Sequence, residues 1–120
     1  MRDIEHNIIV AKTIAFSLQV IRYCEVLDSK KKFVISNQLL KSATSIGANV
    51  FEAQDAESRA DFIHKMKLAS KEANETCYWL ILCEKSEGFD FDIALKEDLE
   101  QIMRIISKII ASTKKVEKES

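Results

Sequence analysis

The chain of 120 residues contains no proline and only two glycines. An all-β fold of many short strands needs turn-forming residues at each reversal, so this scarcity excludes one. It also excludes the glycine-rich phosphate loops of Walker-type and dinucleotide-binding proteins, which cannot be written with Gly47 and Gly88 alone. No stretch reaches about 18 consecutive apolar residues, so no membrane span is expected. Cysteine is limited to Cys24, Cys77 and Cys83. An odd number of thiols without a secretory segment points to reduced cysteines and a cytoplasmic protein, and their place in or beside apolar runs points to small core side chains. Neither sign of charge dominates: 18 basic and 19 acidic residues leave a net −1. A dedicated nucleic-acid binder is usually basic, because neutralised phosphates supply most non-specific affinity. Any such role must therefore rest on a local patch. Residues 1–60 hold eight basic and seven acidic side chains, and residues 61–120 hold ten and twelve. That division is too even for a basic arm or an acidic tail.

What is present is a globular composition, 47% apolar and 31% charged. The length fits one domain spanning residues 1–120. Four amphipathic segments are expected as helices, over about residues 3–28, 31–54, 59–87 and 92–114. In the first, Ile4, Ile8, Ala11, Ala15 and Leu18 recur at the spacing of one helix face. In the second, Leu39, Ala43, Ile46, Val50 and Ala53 do so, with Ser29 as the expected N-cap. Gly47 inside that helix costs roughly 1 kcal/mol against alanine, so it is expected to admit a neighbouring helix closely. The third carries Phe62, Met66, Ala69, Ala73, Thr76, Leu80 and Cys83, and its small middle also invites close approach. Ser58 with Asp61 resembles a capping box, and Gly88 fits the left-handed position after a helix end. The fourth opens at Asp92 and carries Leu95, Leu99, Ile102, Ile106 and Ile109, with fraying expected from Lys114 to Ser120. The run Phe33 to Ile35 is too brief to found a sheet. Short connections then give an all-α, up-down-up-down antiparallel four-helix bundle.

The first helix has a second apolar stripe, Ile9, Phe16, Val20, Tyr23 and Leu27, more than a quarter-turn from the first. Late in the third helix, Cys77-Tyr78-Trp79-Leu80-Ile81-Leu82-Cys83 is apolar all round. One buried face suffices for a bundle helix, so the surplus is expected to form a homo-oligomer interface through Phe16, Val20, Tyr23 and Trp79.

Candidate chemistry is sparse. Asp3-x-x-His6 and Asp61-x-x-His64 imitate di-iron ligand spacing, but the first lies near the terminus and the second points away from the core stripe. Cys77 and Cys83 lack zinc spacing. With both histidines near helix starts, no nucleophile–base pair can be written. Glu52, Glu75 and Asn49 flank their stripes and are expected to hydrogen-bond across helices. No catalytic, metal or cofactor residue is assigned, and no enzymatic activity is expected. The sharpest basic cluster is Lys30-Lys31-Lys32, with Lys41 further along. It is a candidate for phosphate contact, against the alternative that it neutralises Glu84, Glu87, Asp90 and Asp92 at the shared end of the bundle.

The run from Phe33 to Ala53, above all Gln38 to Glu52, resembles the second helix of the ribosomal RNA intervening-sequence proteins, which carry a Gln, basic residues and a Ser-Ile-small-small-Asn segment followed by an acid. The run Asp61 to Thr76 resembles that family's third helix, with its Ala-Ser…Glu segment. The resemblance implies a four-helix bundle assembled as a homopentamer, without enzymatic activity. It also implies a relation to the accessory proteins of diversity-generating retroelements, which bind RNA and a reverse transcriptase. The expected partners are therefore further copies of the chain and RNA or a nucleic-acid-handling protein. The alternative is an interaction scaffold that never touches nucleic acid.

Overall fold

Polar side chains start three of the four helices. Asn7, Ser58 and Asp92 each present an oxygen to a backbone N–H in the following turn: Val10 at 3.3 Å, Asp61 at 3.0 Å and Ala94 at 3.0 Å. A computed structural model describes residues 7–119, which form α1 (Ile8–Ser29), α2 (Phe33–Ala53), α3 (Arg59–Lys85) and α4 (Ile93–Glu119), with no strand among the described residues. Asp3, Ile4 and His6 lie outside them. Connections of three, five and seven residues force each helix back along its predecessor. The result is a bundle of 53 × 28 × 20 Å. The helices follow one another round a square: α1 packs on α2 and α4, α3 packs on α2 and α4, and the diagonal pairs make no close backbone approach.

The expected stripes of α2, α3 and α4 all face the core, with Phe62 at the start of the α3 stripe and Ile109 at the close of the α4 stripe half-buried. Ala69 and Ala73 let α3 settle on α2, where the Thr76 and Ser42 hydroxyls meet at 2.9 Å. The approach expected at Gly47 is made to α1. A Cβ there would stand 3.4 Å from Thr13 Cβ, an ordinary contact that leaves no room for a larger group. Gly88 takes φ +81° after α3, as its position suggested.

Several local expectations need correction. Ser29 caps nothing: it ends α1, its hydroxyl donating to the Val26 carbonyl at 2.6 Å, and α2 starts at Lys32 without a side-chain cap. Asp61 reaches back to the N–H of Glu57 rather than to that of Ser58. The α4 helix does not fray at Lys114 but continues to Glu119, since lysine and glutamate are good helix formers. Of the three flanking polar residues, only Glu52 reaches across helices, to Lys65 at 3.8 Å. Asn49 bonds to its own helix at Ser45, and Glu75 accepts from the indole N–H of Trp79.

The largest correction concerns α1, whose two stripes exchange roles. Phe16, Val20, Tyr23 and Leu27 are buried in the monomer's own core, while Ile8 is 68% and Leu18 50% exposed. Phe16, Val20 and Tyr23 are therefore unavailable for an interface between copies. The stripe that turns inward is the one with two aromatics and a leucine, against two alanines in the other. Burying a large apolar side chain is worth about 1.5–3 kcal/mol, so the heavier stripe wins. Trp79 is half-buried against the same core. Truncating Phe16 to alanine should cost roughly 3–5 kcal/mol, seen as a lowered denaturation midpoint with an unchanged slope; a loss under about 1 kcal/mol would contradict its core position.

Candidate interaction surfaces

The predicted lysine cluster sits on the α1–α2 turn. Lys31 adopts φ 63°, the left-handed conformation that glycine usually supplies after a helix. It lets the N–H of Lys31 donate to the Asp28 carbonyl and that of Lys32 to the Leu27 carbonyl, both at 2.9 Å. The turn then clamps onto the α3–α4 connection. Lys30 pairs with the Asp90 carboxylate, the Lys32 ammonium lies 5.2 Å from the Phe89 ring centre, and the Tyr23 hydroxyl donates to the Asp90 carbonyl at 2.6 Å. The edge of Tyr23 also meets Phe91, ring centres 6.4 Å apart. Two of the three turn lysines thus hold the bundle end together, but only Lys30 does so by neutralising one of its acids. Glu84, a second acid of that end, pairs with Lys96 at 3.3 Å. The structure does not bring Lys41 to the cluster: it stands on α2 nine residues past Lys32, about 14 Å along the axis.

The titratable groups inside the bundle are held protonated. Burial, followed by the neighbouring Cys83, pushes the Tyr23 hydroxyl far above its usual range, so it acts as a donor. Burial likewise pushes the Cys24 and Cys83 thiols up. A thiol is a nucleophile only as thiolate, so both are inert packing groups. Among the described residues, no group of three or more His, Cys, Asp or Glu side chains converges as a metal site would require.

Two surfaces escaped the sequence reading. The first is a groove of about 450 Å³ between α1 and α2, walled by Ile14, Leu18 and Phe51 and floored by Gly47 and Ala48. With Ile21 beside it, the outward stripe of α1 becomes one side of a two-helix apolar face. Of its wall residues the sequence reading placed only Leu18, and placed it in the core. The second is a basic seam between α3 and α4, where Lys67 and Lys114 are neighbours across the antiparallel pair. Lys67, followed by Lys118, pushes Lys114 below the usual lysine range. Dividing the chain at residue 60 concealed this seam; following charge along each helix of the antiparallel hairpin would have found it.

Comparison with known proteins adds a family. Residues 5–111 match the model of the 23S rRNA-intervening sequence protein family. A crystal structure from Bacteroides thetaiotaomicron, a protein with unknown function from the S23 ribosomal protein family, superposes with a TM-score of 0.80 at 40% identity, covering 85% of this chain and 97% of that one. No curated protein matches the chain.

Replacing Lys31 by glycine should remove the left-handed strain and stabilise the fold by about 1 kcal/mol, a rise of roughly 4 °C in Tm by circular dichroism. A fall would show that the Lys31 side chain makes a stabilising contact. In the native protein a thiol reagent should modify half-buried Cys77 quickly, and Cys24 and Cys83 only after denaturant is added. Rapid reaction of all three would contradict the packing.

Proposed function

We propose that this chain, which belongs to the 23S rRNA-intervening sequence protein family, works without catalysis as a homo-oligomer that associates with RNA. The observation that carries self-assembly is the apolar face of α1 and α2. Four large apolar side chains, Ile14, Leu18, Ile21 and Phe51, each keep more than a third of their surface in water. Contiguous apolar patches of this kind rarely stay bare. The small Gly47 and Ala48 beneath them admit a helix from a second copy at short range. The number five comes from the family resemblance. Absence of catalysis is supported by the neutral state of Cys24, Cys83 and Tyr23 and by the use of Asp61 as a cap, with no activated nucleophile seen beside a base among the described residues. RNA association is supported by the family and by the basic seam. A cytoplasmic location is supported by three unpaired thiols, and no helix of the described residues is long and apolar enough to cross a membrane.

Light scattering at micromolar concentration should give a mass several times that of one chain. Leu18→Glu combined with Phe51→Glu should reduce it to the monomer, with helical content kept because both side chains are already half in water. A monomeric parent protein would refute self-assembly. A double variant that stays fully assembled would place the contact elsewhere, for example at Trp79 and the exposed Tyr78.

A further inference from the structure

We infer that the seam formed by Lys67 and Lys71 of α3 with Lys114 and Lys118 of α4 is the surface that takes an RNA phosphate backbone, and that the lysine turn at residues 30–32 is not. The inference rests on the RNA association proposed above and names its site.

Its basis is the way the hairpin of α3 and α4 sorts charge. Residues 59–71 and 104–120 together hold nine basic and three acidic side chains; the intervening residues 72–103 hold nine acidic and two basic. Because the helices run antiparallel, both basic segments fall at one end and both acidic ones at the other. A chain of net −1 thereby presents a block of net +6 beside a block of net −7. An even composition is no obstacle to polyanion binding when charges are separated along a rod this long, since they are screened from one another beyond about 8 Å.

Position supports the same assignment. At 100° per residue, the five cations of late α4 fall within an arc of roughly 120° opposite its buried stripe. Lys67 and Lys71 share one exposed face of α3, and Lys114 and Lys118 share one of α4. With Lys67 beside Lys114, Lys71 lies one turn to one side and Lys118 one turn to the other. The row is about 12 Å long, enough for three or four phosphates of one strand. Among the described residues, Lys67 and Lys114 meet no carboxylate. Two adjacent ammonium groups repel each other and weaken the fold slightly; a phosphate between them removes that repulsion and gains two charge-assisted hydrogen bonds. The turn at residues 30–32 has the opposite setting. Lys30 and Lys32 are engaged by Asp90 and Phe89, and the surrounding acidic block repels a polyanion.

The test is fluorescence anisotropy with a labelled single-stranded RNA of roughly 16 nucleotides, from about 50 to 200 mM salt. The parent protein should bind, with affinity falling steeply as salt rises. Lys67→Ala with Lys114→Ala should weaken binding about tenfold at low salt and reduce the log–log salt slope by about 2. Lys71→Ala with Lys118→Ala should act in the same direction, while Lys31→Ala with Lys41→Ala should stay within about twofold. All four lysines of the seam are exposed, so circular dichroism should show each variant folded. Failure of the parent protein to bind at the lowest salt would overturn RNA association itself. Binding that survives both seam variants, or that is lost in the Lys31 and Lys41 variant instead, would leave the association standing and overturn this site.

Discussion

Insertion of Phe16, Val20, Tyr23 and Leu27 between α2 and α4 fixes the rotation of α1, and the outer surface follows from that rotation. Once these side chains point inward, Ile14 and Leu18 must point outward beside α2, and the apolar groove is a geometric consequence. The same rotation carries the Tyr23 hydroxyl to the Asp90 carbonyl, which ties α1 to the α3–α4 connection at the end where the bundle would otherwise splay. The contact of α1 with α4 is the thinnest of the four, so a buried donor reaching a backbone acceptor there stabilises more than its roughly 1 kcal/mol suggests. It sets which faces meet.

Helices α2, α3 and α4 were legible because each offers one continuous apolar stripe, which in α3 runs on through the segment Cys77 to Cys83 that is apolar all round, so periodicity has a single solution. α1 offers two stripes, and periodicity cannot rank them. The ranking depends on volume, since Phe16 and Tyr23 fill a core that Ala11 and Ala15 would leave open. A reading weighted by side-chain size would have turned the helix correctly. The caps at Ser58 and Asp92 were legible because a side-chain oxygen two or three residues before a free N–H is a local matter. The Lys31 turn was not, because a lysine in the left-handed region gives no signal in sequence; the constraint comes from the Lys30 and Lys32 contacts on either side of it.

The electrostatic arrangement shows the same limit at longer range. Lys30 and Asp90 are sixty residues apart, yet their pairing follows from the up-down topology alone, which places both connections at one end. The Lys67–Lys114 seam follows from that topology too, but only if charge is followed helix by helix. Averages over half-chains mix the acidic and basic segments of α3 and of α4, and report near-neutrality where the fold builds two strong opposite fields.

The two proposed surfaces occupy different sides of the square. The groove belongs to α1 and α2, the seam to α3 and α4. Contact between copies through the first leaves the second facing outward from the assembly. Four lysines on one chain supply few phosphate contacts, and a protein of net −1 with so few contacts holds a polyanion weakly at physiological salt. Copies joined through the groove present several seams at fixed spacing, so that each further contact with the same RNA is made at high effective concentration and the affinities compound. The acidic ends of those copies would repel the strand and confine it to the basic seams. In the proposed function, self-assembly and RNA association are in this way one design: the apolar side of the bundle would supply the multiplicity that the modest charge of the other side requires.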